Sequence, residues 1–496
     1  MSHLKHIRVI APLTVFLVIL AAVASVGGGL VRAASLSPVS GPSPYASCTI
    51  GGSSSSINYV NAEVEPYVAV NPTNSKNLIG VWQQDRWSDG GAHGLVAGFS
   101  FNGGKTWDET TLPFSACANG LGYERASDPW VSFGPDGTAY TVSISFNASN
   151  NNNAVAAAVS KDGGKHWTNL SIIIADNQPT LQFFNDKESV TADPTQAGVA
   201  YAVWDRLQLP NGNPDANLHT AAFRGDAYFA KTTNGGQTWS SPKVIVTTSS
   251  RQQTIGNQIV VDPKTDTLYD FFDLITPPFN VTAYKAAFIK STDGGNTWTK
   301  PQIIANEETV GVTDPNTGQA IRTGDIIPEP AIDPVSGQLY VVWQDSRFNG
   351  HHFDEVASST STNGGATWST PIRVNTPTGR PAFTPMVRVN PNGTVSVTYY
   401  DFRTLAAGNT TTLPTDYWFT SSTDHGASFG NEAHIAGPFD MKTAPLTTTG
   451  FFVGDYEGLD TSVVDTSGAL FQPFFVQANS GNTANRTDVF TATVTP

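Results

Sequence analysis

An eight-residue pattern recurs six times along this chain: SFNGGKTW (100–107), SKDGGKHW (160–167), TTNGGQTW (232–239), STDGGNTW (291–298), STNGGATW (361–368) and STDHGASF (422–429). Its chemistry is that of a tight hairpin turn. The Asp or Asn accepts from its own downstream backbone amides, glycine supplies positive φ, and the final aromatic folds back as a plug. One such turn is ordinary. Six in register impose a repeat architecture.

A second block lies between the octets: VEPYVAVNP (64–72), SDPWVSFGP (127–135), DKESVTADP (186–194), IGNQIVVDP (255–263), IIPEPAIDP (326–334), FTPMVRVNP (383–391) and GLDTSVVDT (458–466). Each is a short apolar strand stopped by Asn, Asp or Gly. A third block follows, clearest in IGVWQQDR (79–86), YAVWDR (201–206), YVVWQDSR (340–347) and VTYYDFR (397–403). Each repeat therefore reads as strands A, B and C, the octet turn, and strand D. Four antiparallel strands in about 60–70 residues make one β-propeller blade. The expectation is an all-β chain, a single propeller of seven blades over residues 48–496, with six blades as the alternative. The seventh repeat has no octet, and Ile57–Ala62 is the segment expected to supply its outer strand.

Charge and cysteine usage narrow the function. The 496 residues hold 41 acidic and 27 basic side chains. That balance argues against nucleic acid or an anionic membrane as partner, since both need a basic footprint. Lys5, His6 and Arg8 precede an apolar run from Val9 to Val26, and Val31-Arg32-Ala33 offers the small residues that a signal peptidase reads. Residues 1–33 are accordingly expected to be a cleaved signal peptide, an uncleaved anchor being the alternative. Residues 34–47 read as a Ser/Pro linker. An exported protein, secreted or at the cell surface, permits a disulfide between its two cysteines, Cys48 and Cys117. The first precedes the expected closing strand and the second follows the outer strand of the first blade, its neighbour in the ring. No phosphate loop, nucleophile elbow or dinucleotide fingerprint occurs, so no cofactor is expected. His351-His352-Phe353-Asp354 reads as a solvated loop, not a metal site, and a monomer is expected.

The octets resemble the Asp-box, or BNR repeat, of sialidases and related propellers, in the form S/T-x-D/N-x-G-x-x-W/F. The resemblance covers residues 64–430 and implies the fold. Glycosidases, binding receptors and assembly factors share it, so activity must be argued from the site.

Strand order places the octets and the short A–B turns on one face, with the long connections 207–224, 306–325 and 437–455 on the other. Long loops on a rigid scaffold carry function, so the candidate site is that loop-rich mouth. B strands deliver Arg86, Arg206, Arg347 and Arg403 there, each near an Asp, and A strands begin near Glu65, Asp128, Asp186-Lys187-Glu188 and Glu329. Planar guanidinium groups could fork onto a substrate carboxylate. Alternatively each Asp–Arg pair is a structural bridge. The sialidase resemblance implies a Tyr nucleophile paired with Glu, an Asp acid/base and three arginines on the substrate carboxylate. Asp128, Glu188 and Tyr456 could fill the catalytic roles, with Arg86, Arg206 and Arg403 binding substrate and Arg347 and Glu329 as substitutes. The family's first-blade F/Y-R-I-P is absent; Val64-Glu65-Pro66-Tyr67 stands there, an acid in place of arginine. A two-carboxylate glycosidase using Glu65, Asp128, Glu188 or Glu329 is the other chemistry open to this mouth. The leading expectation is an exported sialidase-like glycoside hydrolase acting on glycans. The alternative is a non-catalytic propeller binding glycan or protein.

Overall fold

The computed structural model describes residues 32–33, 36–53, 55–177, 183–208, 224–276, 283–465 and 468–496. Most of the expected leader and of the 207–224 connection lie outside these residues. Among the described residues there is no α-helix; strands joined by tight turns make up the chain. The octets form the turns their composition dictates. In the first, Asn102 Oδ1 accepts from the amides of Lys105 and Thr106, both at 3.0 Å. Gly103 and Gly104 take φ of 75° and 80°, and the Trp107 indole donates back to the Gly104 carbonyl at 3.0 Å. The plug also fastens neighbouring sheets. Trp107 lies 5.6 Å from Phe474, Trp298 5.5 Å from Phe229 and Trp368 5.7 Å from Phe288, each ring belonging to the sheet alongside.

Pairing is antiparallel within each repeat. Asn58–Val70 pairs with Leu78–Trp87, which pairs with Ala92–Ser100, which pairs with Asp108–Leu112. The same order recurs from Arg125, Phe183, Gln253, Glu329 and Ala382. The first strand of each repeat packs on that of the next, and the last of them, Gly458–Asp465, returns against Asn58–Val70. The apolar alternation of these strands buries Val68, Val81, Val142, Val203 and their counterparts between the sheets.

The last sheet is completed from the other end of the chain, though not by Ile57–Ala62. Those residues mostly begin the long strand Asn58–Val70; they pair with the last sheet at one position, Ala62 with Thr487 in parallel register, beside the Arg486 N–H that donates to the Asn61 carbonyl at 3.2 Å. The ladder breaks there because Asn61 is left-handed, with φ of 55°, and gives its N–H to Asp85 Oδ1. The outer partner of Thr487–Thr491 is instead Ser37–Pro38, antiparallel, extended by Val39 N–H to the Val489 carbonyl at 2.8 Å. Residues expected to be a linker thus pack on the ring, and Tyr45 is buried with its hydroxyl on the Leu95 carbonyl at 2.7 Å. The Cys48–Cys117 disulfide is formed, with Cα atoms 5.8 Å apart.

The long mouth loops pair with one another. Val312–Thr313 and Ala320–Arg322 join Gly450–Phe452 and Leu446–Thr447 in a small four-stranded sheet, with Ala320–Arg322 running parallel to Gly450–Phe452. The loops 306–325 and 437–455 therefore form one cap. Replacing both cysteines by serine should lower unfolding free energy by about 2–4 kcal/mol, read as a drop in the denaturant midpoint. An unchanged midpoint would show that hydrogen bonds alone hold residues 37–48.

Candidate functional site

Five of the inner strands break register at the same place, and the residue at the break is left-handed: Glu65, Asp128, Lys187, Gly256 and Thr384, with φ of 52°, 52°, 48°, 71° and 49°. A bulge of this kind re-aims one side chain out of the pleat. Here it brings the first three together. Lys187 Nζ lies 2.8 Å from Glu65 Oε1, 3.2 Å from Asp128 Oδ2 and 2.8 Å from Asp455 Oδ2, and all four groups are buried. Burial and the neighbouring Asp128 push Glu65 up to about 8, against the pull of Lys187. Burial also acts to raise Asp128, but Lys187 and hydrogen bonds from Glu65 and Ser127 outweigh it and hold the carboxyl below its usual range. Lys187 stays charged: burial opposes this, and Asp128, Asp455 and Glu65 overcome it.

Two guanidinium groups complete the cluster. Arg322, on the cap, forks onto Asp455 and sits 4.5 Å from the Phe452 ring; Arg86 sits 4.9 Å from the same ring. Arg86 is 2% exposed. Its Nη1 donates to Gln83 Oε1 at 2.7 Å, its Nε has no partner, and no carboxylate lies within ion-pair distance among the described residues. Burial and the proximity of Arg322 lower it to about 10.

Two cavities flank this group, both lined by Lys187 and Arg322. One, of about 280 Å³, is lined by Arg86, Asp128, Asp186, Phe146 and Phe184, with the Asn147 and Asn150 amides at its edge. The other, of about 470 Å³, lies under the cap, beside Tyr284 and Asp325. In the first, the two acids are driven apart. Burial and then the charge of Asp128 raise Asp186 to about 7, while Asp128 stays ionised. Two carboxyl groups with opposed shifts in one cavity have the electrostatics of an acid and its ionised partner.

Of the arginines expected at the mouth, only Arg86 reaches the axis. Arg206 is fixed by Asp176 and stacks 3.8 Å from the Phe183 ring. Arg347 is held by Asp345 at 2.6 Å and Arg403 by Asp401 and Glu432, both at 2.5 Å, with Arg403 stacked 3.5 Å from Trp418. These three are bridges that pin B strands to their own or an adjoining strand. Tyr456 lies beneath Lys187, whose Nζ is 5.4 Å from the ring centroid. It is enclosed by Trp130 and Tyr67, with its hydroxyl 3.4 Å from the Pro129 carbonyl. Glu188 is buried beside it with both carboxylate oxygens unpartnered, and burial pushes it well up. Glu329 is buried in the next inner strand but one. Lys187, Arg322 and Asp455 carry the site without having been assigned roles from sequence. Their signal was present: Glu65, Asp128 and Lys187 occupy the second position of the nine-residue block in three consecutive repeats.

No protein-family model and no curated protein matches this sequence. Among solved structures, an α-L-arabinanase of Penicillium chrysogenum complexed with arabinobiose is similar at 12% identity and a TM-score of 0.47, over 93% of this chain and 98% of that one. Hadza microbial sialidase Hz136 is similar at 15% identity and a TM-score of 0.48, over 85% and 74%. A PL25 ulvan lyase bound to -[GlcA(1-4)Rha3S]- is similar at 11% identity and a TM-score of 0.49, over 87% and 94%. These likenesses concern the course of the backbone. The cyclic packing of the inner strands gives this chain a propeller fold.

Replacing Lys187 by Met leaves three buried acids facing one another and should cost about 3–5 kcal/mol, seen in the urea midpoint at neutral pH. A change below 1 kcal/mol would mean that the acids share protons without it. A second expectation concerns Glu329, which burial raises from its ordinary 4.5 to about 8. Its stabilisation is present in full below about 4.5 and is lost as pH climbs toward 8, because the unfolded chain gives up the proton first. Stability should fall from about pH 5 to 8, and less steeply in Glu329→Gln.

Proposed function

We propose that this protein is an exported glycoside hydrolase, a seven-bladed propeller that cleaves an acidic glycan at its capped mouth. One observation carries the reading: Arg86, a buried guanidinium lining a cavity of about 280 Å³ with no ion-pair partner among the described residues. A charge left in that state calls for an anionic ligand, and a planar fork suits a carboxylate. Arg322 stands beside it. The Asn147 and Asn150 amides and the Phe146 and Phe184 rings, 5.6 Å apart, offer the hydrogen bonds and apolar faces that a sugar uses. The seven inner strands, and the order in which they pack, support the blade count.

In this reading the carboxylate of the sugar lies on Arg86 and Arg322. Asp186 gives its proton to the glycosidic oxygen as the C–O bond breaks, and ionised Asp128 stabilises the cationic transition state. Water then adds at the anomeric carbon and gives its proton to the Asp186 carboxylate, which restores the acid. Two carboxyl groups serve better here than a tyrosine nucleophile, because Lys187 stands between Tyr456 and the cavities. A sialoside and a uronide are the acidic sugars to compare.

The test is turnover of chromogenic sialosides, glucuronides, galacturonides and neutral arabinofuranosides by the purified protein. Acidic substrates should be cleaved, with kcat/KM falling above about pH 7 as Asp186 loses its proton. Asp186→Asn should abolish turnover, and Arg86→Lys should cut kcat/KM about tenfold or more. Turnover of neutral substrates only would overturn the acidic-sugar assignment. Binding of acidic glycans without turnover would establish the non-catalytic propeller instead.

A further inference from the structure

Beyond the bulges, the inner strands run on to the face away from the cap, and there they enclose a separate cavity of about 350 Å³. All seven inner strands line it, so it lies on the axis. It shares no lining residue with either mouth cavity. Its wall is apolar, made by residues such as Ala69, Val131, Val190, Val261 and Ala331, and Pro194, Pro263 and Pro334 stand at its rim. Tyr67 and Trp130, stacked with centroids 3.7 Å apart, belong to it as well.

Two ionisable side chains enter this wall, and they differ in how they are engaged. Asp460 accepts the amides of Val70 and Thr461, at 2.7 and 2.8 Å. Arg388 donates Nη1 to the Val387 carbonyl at 3.0 Å and Nη2 to the Tyr67 hydroxyl, and its guanidinium lies 5.7 Å from the Tyr67 ring. No carboxylate lies within ion-pair distance of it among the described residues. The cavity thus pairs a largely apolar, partly aromatic wall with one cation, Arg388, held by three neutral acceptors (the Val387 carbonyl, the Tyr67 hydroxyl and Met386 Sδ), and one carboxylate, Asp460, already engaged by two amides. A sugar would leave most of its hydroxyls unpartnered against valine and proline. A carboxylate on a compact apolar body meets both demands, and the volume is at the small end of small-molecule sites.

We propose that this axial cavity binds a small organic monocarboxylate with a flat apolar body, its carboxylate on Arg388 and its body among the inner-strand valines. The site is independent of the mouth and of the activity proposed there.

Benzoate is the probe, titrated into the full-length protein and followed by calorimetry, with benzamide as the neutral counterpart. Saturable benzoate binding is expected, with benzamide at least about tenfold weaker because it lacks the charge that Arg388 meets. Arg388→Gln should weaken benzoate about tenfold or more. Since Arg388 also ties to Tyr67, a second variant keeps it in place: Ala331→Phe fills the cavity and should abolish binding while the protein still melts cooperatively. Arg86→Lys, at the mouth, should leave benzoate binding unchanged. No saturable binding, equal binding of benzamide, or benzoate binding retained in folded Ala331→Phe would each overturn the proposal. So would loss of binding in Arg86→Lys, which would place the probe at the mouth.

Discussion

Lys187 makes an ion pair with each of Glu65, Asp128 and Asp455, which come from three different segments of the ring. Three acids in a dry axis would repel one another, and a lone cation there would be poorly solvated; each is tolerable only with the other. The remainder of the site is arranged around that balance. Asp455 positions Arg322 from the cap, Asp128 is kept ionised, and burial together with that charge raises Asp186. The left-handed bulges are the backbone's share of the arrangement. A non-glycine residue held there costs on the order of 1–3 kcal/mol, and at three of the five positions that cost falls on side chains whose charges meet.

What sequence could and could not reveal follows from the same physics. The octet turns were legible because their order is local: each Asp or Asn accepts from amides three or four residues on, and each glycine supplies the φ. The disulfide joins the only two cysteines, as an exported chain permits, but the strand order argued for it did not hold, because Cys48 follows the closing strand Ser37–Pro38 and does not precede it. The closing strand was not legible, because Ser37–Pro38 takes its conformation from Phe490 and Thr491 across the sheet and has no periodicity of its own. Arg206, Arg347 and Arg403 looked like a convergent set because they recur at strand ends. Recurrence instead marks a local unit of acid, arginine and aromatic ring that three of the sheets repeat, the acid of Arg206 coming from the preceding sheet. Glu65, Asp128 and Lys187, which do converge, share one position of the block, and that column reads Glu, Asp, Lys, Gly, Ile, Thr and Leu down the chain. A column that keeps its geometry while changing its chemistry is a different signal from a motif.

The pairing of Ser37–Pro38 with Thr487–Thr491 also sets an order of events. The residues that finish the last sheet are synthesised some 450 residues before their partners. Until Ser37–Pro38 docks, the edge strand Thr487–Thr491 lacks its outer partner. Such an edge invites pairing with another chain. Joining ends so far apart adds little entropic cost beyond that of a shorter loop, since the cost grows only logarithmically with length. Time is therefore the exposed quantity: the interval between the emergence of the two ends is the window in which two copies could exchange their clasp strands and leave the ribosome entangled.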